Sequence, residues 1–370
     1  MIIIKKKIIF GITSLTLGGA ERVLVDISNR LCETYDITIF SIYDNGELKK
    51  ELNPNVHFKA LYKCRYDELN FIQRMWSPIR ILLFAKAIYN KYIKGDYDIE
   101  VSFLEGPITR LFSQKNNTKK IVWVHNDIKY VFGNNLKSKL KKLIDNKIYK
   151  KYDNIVFVSK ENMKSFQDVY TDIEKTKMAV IYNYIDSDLV KKKADEYSTE
   201  LKDCKNTKFV TVCRLVEQKA IDRLIRVHKR IIDDGLMHEF FVIGDGPERS
   251  KLEQLIKENE VESTFHLLGK KENPYPYIKE ADYFCLLSYF EGYGMVLEEA
   301  KILNKKIIIT DTAAKEALEN YQDGTVLENT EEGIYKGLIQ VNRQTKDDNI
   351  ESLADYSNEN RIELLKSIID

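Results

Sequence analysis

Short runs rich in β-branched and aromatic residues alternate with helical apolar patterns along the whole chain, and that alternation restricts the fold to parallel α/β sheets. The first half offers KKIIFGITSL, DITIFSIY, VHFKALY, DIEVSFLE, KIVWVH, NIVFVS and MAVIYN; the second offers KFVTVCRL, EFFVIGDG, FHLLG, YFCLLS, KKIIIT and GTVLE. A chain of 370 residues exceeds the size at which one core stops growing, so two domains are expected. The charged stretch DSDLVKKKADEYSTELKDCKNTK lies between the two sets and reads as their connection. The predicted organisation is an N-terminal doubly wound domain over 1–187, a linker over 188–206, a second such domain over 207–350, and a C-terminal helix over 351–370 that returns to the first domain. Open parallel sheets bind ligands at the carboxyl ends of their strands, so two domains of this kind facing each other place the default site in the shared cleft.

Composition removes several function classes. The five cysteines, Cys32, Cys64, Cys204, Cys213 and Cys285, are odd in number and lack C-x-x-C spacing, against a disulfide framework or a zinc site. The apolar run after the first lysines is short for a signal peptide, and no segment reaches about 18 uninterrupted apolar residues. A cytoplasmic protein, at most peripheral on the inner face of the membrane, is expected. The net charge of +1 conceals an asymmetry: residues 1–190 hold 31 Lys and Arg against 22 Asp and Glu, and the remainder is acidic. Much of the excess lies in KSKLKKLIDNKIYKK, Lys137 to Lys151, an amphipathic helical pattern open to two readings, a solvated face or contact with anionic lipid. No nucleic-acid partner is expected.

The residues that carry chemistry recur at strand ends. After the first strand, Gly18 and Gly19 precede a helix, where paired glycines let backbone N–H groups approach an anion. In CRLVEQKAIDRLI, Arg214 follows a strand and Lys219 starts the next helix, two cations suited to a pyrophosphate. IGDGPER forms another strand-to-helix corner. SYFEGYGMVLEEA places Glu291 before Gly292, Tyr293 and Gly294, and Glu298 and Glu299 in the helix that follows. Neither G-x-G-x-x-G nor G-x-x-x-x-G-K-[ST] occurs, which disfavours a dinucleotide fingerprint and a P-loop. The triplets DYD (Asp96 to Asp98) and DSD (Asp186 to Asp188) are poor metal sites, the first because it precedes its strand.

In this order, GGAERVL, IYNYID, CRLVEQKAIDRLI, IGDGPER, FHLLG and SYFEGYGMVLEEA resemble the retaining, nucleotide-sugar-dependent glycosyltransferases of family 4, of the bacterial surface-polysaccharide type. The resemblance implies the GT-B fold, two Rossmann-like doubly wound domains facing each other across a cleft. It implies that Glu299, eight positions after Glu291, takes the ribose hydroxyls of the donor, with Glu298 a bystander. Glu291 and the backbone of Gly292, Tyr293 and Gly294 would hold the donor sugar, and Arg214 and Lys219 would neutralise the departing diphosphate. Leu268, Gly269 and Lys270 would border the base, His125 would stand beside donor sugar and acceptor, and Gly18 and Gly19 would lie near the phosphates. The implied activity is hexosyl or N-acetylhexosaminyl transfer from a nucleotide diphosphate sugar, most readily a UDP-sugar, to a glycan or lipid-linked glycan. No metal and no cofactor beyond that co-substrate are expected.

Five positions depart from the family pattern: Cys213 and Ala220 stand where glycines are usual around the Arg and Lys, Tyr184 stands in place of the glycine after Asn183, and Ala313 and Ala314 stand where small glycines are common. Two rival functions share the fold: a nucleotide-sugar epimerase, which would require further acid–base groups in the cleft, and a catalytically silent glycan-binding or stabilising partner of an active transferase.

Overall fold

Each of the thirteen apolar runs forms a strand in the computed structural model, which describes residues 5–16, 18–44, 46–64, 68–126, 128, 136–343 and 358–370. The strands divide between two compact units, one built from 1–184 with 358–370 and the other from 185–357.

In the first unit the strands are β1 (Lys7–Ile12), β2 (Asp36–Tyr43), β3 (His57–Tyr62), β4 (Ile99–Ser102), β5 (Lys119–Val124), β6 (Asn154–Phe157) and β7 (Met178–Val180). They pair in parallel in the order β3-β2-β1-β4-β5-β6-β7. Their interiors are apolar almost without a break because helices cover both faces of such a sheet; Ile8 to Ile12 and Ile37 to Tyr43 are buried. Glu100 on β4 and Lys120 on β5 are buried charges in this sheet. The Glu100 carboxylate is buried yet satisfied, accepting from Lys120 Nζ at 2.5 Å, Tyr89 OH at 2.5 Å and Asn116 Nδ2 at 2.7 Å. Burial lowers the Lys120 pKa, and the adjacent Glu100 opposes that shift. The C-terminal helix Asn358–Ile369 belongs to this unit. It buries Ile362, Leu365 and Ile369, and Asp370 accepts from Tyr35 OH at 3.1 Å and Lys6 Nζ at 3.3 Å.

The second unit holds β8 (Thr207–Val212), β9 (His238–Ile243), β10 (Phe265–Gly269), β11 (Tyr283–Leu286), β12 (Lys306–Thr310) and β13 (Gly324–Leu327), again all parallel, in the order β10-β9-β8-β11-β12-β13. Residues 188–206, expected as a linker, differ from that expectation. The helix Ser187–Ala194 is capped by Asp186, which accepts from Leu189 N at 2.9 Å, and it buries Val190 against Ile185 and Ile302. Three lysines in eight residues hide the two buried apolar residues, Val190 and Ala194, that dock it.

One polar feature inside this unit dictates a pH response. His228 and His238 are buried, with His228 Nδ1 2.8 Å from His238 Nε2, His228 Nε2 2.9 Å from Thr264 Oγ1, and His238 Nδ1 3.1 Å from the Leu236 carbonyl. The carbonyl only accepts, so His238 Nδ1 carries the proton and its Nε2 receives one from His228 Nδ1. Thr264 then donates to His228 Nε2. Both rings are neutral in this chain of bonds, and burial holds both pKa values below the ordinary histidine value. Unfolded histidines take up protons below about pH 6.5 while these two do not, so their contribution to stability is complete above that pH and is lost progressively as the pH falls below it towards the lowered folded values. The melting temperature should therefore decline between about pH 7 and about pH 5, while ring resonances of His228 and His238 keep neutral shifts until unfolding. Protonated-ring shifts in the folded protein would contradict this tautomer chain.

Candidate functional site

The order of the second sheet reverses between β8 and β11, and loops leaving adjacent strands in opposite directions open a crevice there. Arg214 and Lys219 lie on the loop after β8, and Glu291 to Gly294 on the loop after β11. The structure brings these together. Lys219 Nζ is ion-paired with Glu291 Oε2, both largely screened from solvent. The loops are also tied by backbone: Tyr289 N donates to Gln218 O at 2.9 Å, and Gln218 Nε2 donates to Phe290 O at 3.0 Å. Arg214 is exposed and, among the described residues, has no ion-pair partner.

Two residues that the sequence did not single out hold this corner from below. Arg223 is buried, donates to Leu287 O at 2.8 Å and lies over the Tyr289 ring at 4.4 Å, while Asn329 Nδ2 donates to Tyr289 O at 2.8 Å. In sequence Arg223 is one cation among several on a helix, and no spacing distinguishes it. Ser288, at the carboxyl end of β11, is buried with an unpartnered Oγ.

The IGDGPER corner has a sharper role than a plain turn. A Cβ on Gly244, whose φ is +138°, would stand 1.8 Å from the Cys213 carbonyl, so the loop after β9 packs on the loop carrying Arg214 only without a side chain there. Cys213 itself donates its N–H to Ile243 O at 2.9 Å. Burial pushes its thiol up to about 11, which keeps it protonated and unreactive.

The helix Met295–Ile302 starts at Gly294, which has φ +72°. Its two glutamates part company. Glu298 is fully buried, accepting from Tyr293 OH at 2.6 Å and Lys301 Nζ at 2.8 Å. Lys301 also donates to Ala317 O at 2.7 Å. Glu299 is partly exposed, with Tyr275 OH donating to its Oε1 at 3.2 Å. Tyr293 therefore turns its side chain into the core, and only its backbone is left for a ligand, together with the exposed Gly292. Leu268, Gly269 and Lys270 end β10 at a register shift, and Gly269 O accepts from Gly244 N at 2.9 Å.

In the first unit the order reverses between β1 and β4. Gly18 is the N-cap of the helix Gly19–Leu31, and its own N–H donates to Thr16 O at 2.9 Å. The Glu21 carboxylate folds over it: a Cβ on Gly18 would lie 2.2 Å from Glu21 Oε2. An internal carboxylate thus occupies the helix start where an external anion was expected. Burial raises its pKa, and a hydrogen bond from its own backbone opposes the shift.

His125 follows β5. Its N–H and that of Asn126 both donate to Glu105 Oε1, at 2.5 and 2.7 Å, and Asn126 Nδ2 donates to Oε2 at 3.1 Å. Glu105, on the loop after β4, so fixes the loop that presents His125. The ring packs beside Phe103 and Trp123, and Nε2 is buried with no partner. Burial lowers the His125 pKa to about 3, so the imidazole is neutral and suited to hydrogen bonding rather than to carrying charge.

The acidic triplets serve the fold. Asp98 accepts from Lys7 N at 2.8 Å, and Asp186 is the helix cap already described. The lysine stretch forms the helix Leu136–Tyr149, which buries Tyr149 and leaves Leu143, Ile144 and Lys141 exposed; the side chains of Lys137 and Lys139 lie outside the described residues.

Comparison with known proteins agrees with this geometry. Residues 17–189 match the family described as Glycosyltransferase Family 4, and residues 193–360 match Glycosyl transferases group 1. An uncharacterised glycosyltransferase of Methanocaldococcus jannaschii is 30% identical over 289 residues, covering 76% of this chain and 70% of that one. A Campylobacter jejuni protein named N-acetylgalactosamine-N,N'-diacetylbacillosaminyl-diphospho-undecaprenol 4-alpha-N-acetylgalactosaminyltransferase is 29% identical, covering 88% and 87%. The crystal structure of Anabaena HepE with UDP and glucose superposes with a TM-score of 0.76 at 13% identity, covering 98% and 99%, a likeness of fold.

Ala220, the N-cap of the helix Ile221–Asp233, has φ +53° and ψ +34° and is buried. A left-handed conformation costs a Cβ-bearing residue about 1–2 kcal/mol. Ala220→Gly should therefore stabilise the protein by about 1 kcal/mol, the relief of strain exceeding the added chain entropy. Denaturant unfolding that shows a loss would mean that the methyl contacts outweigh the strain. Strand order, paired loops and matched sequences lead to one assignment: the chain belongs to the family 4 glycosyltransferases and has their GT-B fold.

Proposed function

We propose that this enzyme transfers an N-acetylhexosamine or hexose from a UDP-sugar, with retention at the anomeric carbon and without a divalent metal, to a lipid-linked glycan in the synthesis of a bacterial surface polysaccharide. The observation that carries the reading is the Lys219–Glu291 ion pair at the β8/β11 crevice, beside the exposed Arg214 and directly before the glycine-flanked start of a helix. A diphosphate entering there offers Lys219 a dianionic partner, and Glu291 is then released to accept from a hydroxyl of the donor sugar. Glu299 accepts from the ribose. The name of the Campylobacter relative, which contains diphospho-undecaprenol and N-acetylgalactosaminyl, supports the acceptor and sugar classes, and the UDP held by HepE supports the nucleotide.

In the reaction the anomeric C–O bond breaks and its electrons pass to the diphosphate oxygen. The acceptor hydroxyl oxygen attacks the same face of the anomeric carbon, and its proton leaves to the departing phosphate. Negative charge grows on the diphosphate as this happens, and cations already in place stabilise it most in the transition state. Neutral His125 offers an unpartnered Nε2 for a hydroxyl of donor or acceptor.

Arg214→Ala and Lys219→Ala should each lower kcat by roughly 10²- to 10³-fold with little change in KM. The double variant should lose less than the product of the two, because both act on one leaving group. Initial rates with EDTA present decide the matter. Wild-type activity abolished by EDTA and restored by Mg²⁺ or Mn²⁺ would remove the mechanism, as would single variants within about threefold of wild type. UDP binding with no turnover of any donor would favour the silent-partner reading instead.

A further inference from the structure

The helix Phe71–Ile88 contains none of the candidate site residues and is apolar on the wrong side for a globular protein. Its inner face is ordinary: Ser77, Ile81 and Ile88 are buried, and Ser77 Oγ bonds Tyr43 OH at 3.0 Å. On the opposite face Phe71, Ile72, Met75, Trp76, Ile79 and Leu83 are exposed, from 40% for Ile79 to 80% for Phe71. At 100° per residue these six, all of which precede the kink at Phe84 (φ −113°, ψ +21°), fall within an arc of about 140° opposite Ser77 and Ile81. Exposed apolar residues scattered singly need no explanation, whereas a continuous stripe of this size marks a contact surface.

Charge identifies what the stripe meets. Between Glu68 and Asp96 the chain has five cations, Arg74, Arg80, Lys86, Lys91 and Lys94, and no Asp or Glu; all five are exposed. A second copy of this chain would set one cationic face against another with no acid between them, which is repulsive. An anionic lipid surface satisfies both features at once, taking the apolar stripe among its acyl chains and the cations among its headgroups. Among the described residues no helix is long and apolar enough to cross a membrane, so the contact is one of lying on the surface. The helix is prepared for this role, since Asn70 and Gln73 close its exposed start with a reciprocal capping box that water or headgroups need not supply.

We propose that the helix Phe71–Ile88 is a membrane-docking element that inserts Phe71, Ile72, Met75, Trp76, Ile79 and Leu83 into the interface of an anionic bilayer. The proposal goes beyond the donor chemistry and does not rest on it. It places lipid contact on a helix other than the lysine-rich Leu136–Tyr149.

The chain carries its own probe. Of its two tryptophans, Trp123 is fully buried in the sheet, so an emission change on adding vesicles reports Trp76. Full-length protein mixed with vesicles of phosphatidylcholine and phosphatidylglycerol should show a blue shift and quenching by brominated acyl chains, and both should fade with added salt. Trp76→Glu with Leu83→Glu should lower co-sedimentation with these vesicles by roughly tenfold or more, while UDP affinity and melting temperature stay at the parental values. Lys141→Ser with Lys142→Ser in the other helix should bind vesicles like the parent. Unchanged emission and quenching of Trp76 would overturn the proposal, as would parental vesicle binding by the glutamate variant. So would a lipid-free dimer that the glutamate variant abolishes, since the face would then be covered by a second copy.

Discussion

The Lys219–Glu291 ion pair is the contact on which the candidate site depends, because it joins the two loops that leave the sheet at its reversal. Each partner reaches the other only because neighbours are fixed first. Gln218 is bound to the backbone of Tyr289 and Phe290, Arg223 supports Leu287 and the Tyr289 ring from within the unit, and Gly244 lets the next loop pack on Cys213. A pair screened to this degree is costly to desolvate and gives little net stability. On the proposed reading its value is readiness: the cation and the carboxylate would be held in place by the protein until a diphosphate and a sugar hydroxyl competed for them, which would leave little reorganisation for the reaction itself.

The same logic separates residues that hold the site from residues offered to a ligand. Glu298, Tyr293 and Lys301 satisfy one another in the interior, and Lys301 continues to Ala317. Glu299, one residue on, has Tyr275 at 3.2 Å and keeps part of its surface exposed. Removing the Glu298 carboxylate would leave Lys301 without its buried counter-charge, so that residue is structural although it is the neighbour of Glu299, the proposed ribose acceptor. In the first unit Glu105 is used in a related way, spending its carboxylate on two backbone amides and a side-chain amide to fix the loop of His125.

All the strands were legible in the sequence, since a strand buried on both faces is written as a run of β-branched and aromatic residues bounded by polar turns. The pairing of Lys219 with Glu291 was legible only as two charges on separate strand ends. What escaped were polar residues whose partners are distant in sequence. Arg223 meets Leu287 and Asn329, Glu100 meets Lys120, and Glu105 meets the loop after β5; nothing local marks a charge that will be buried by another element. The segment 188–206 was misjudged for the opposite reason, because a buried valine and alanine on a lysine-rich helix are too little pattern to read. The helix Phe71–Ile88 itself escaped as well, since apolar residues on both its buried and its exposed faces leave no amphipathic period to read.

The most direct test of this division of labour is calorimetric titration of UDP on Glu299→Ala and Glu298→Gln, two changes at adjacent residues of one helix. The account predicts that Glu299→Ala weakens UDP binding by roughly 10- to 100-fold, the loss of charged hydrogen bonds to ribose hydroxyls. Glu298→Gln, which keeps an acceptor for Tyr293, should bind UDP like the parent. Parental affinity in Glu299→Ala, or equal losses in both variants, would contradict the account.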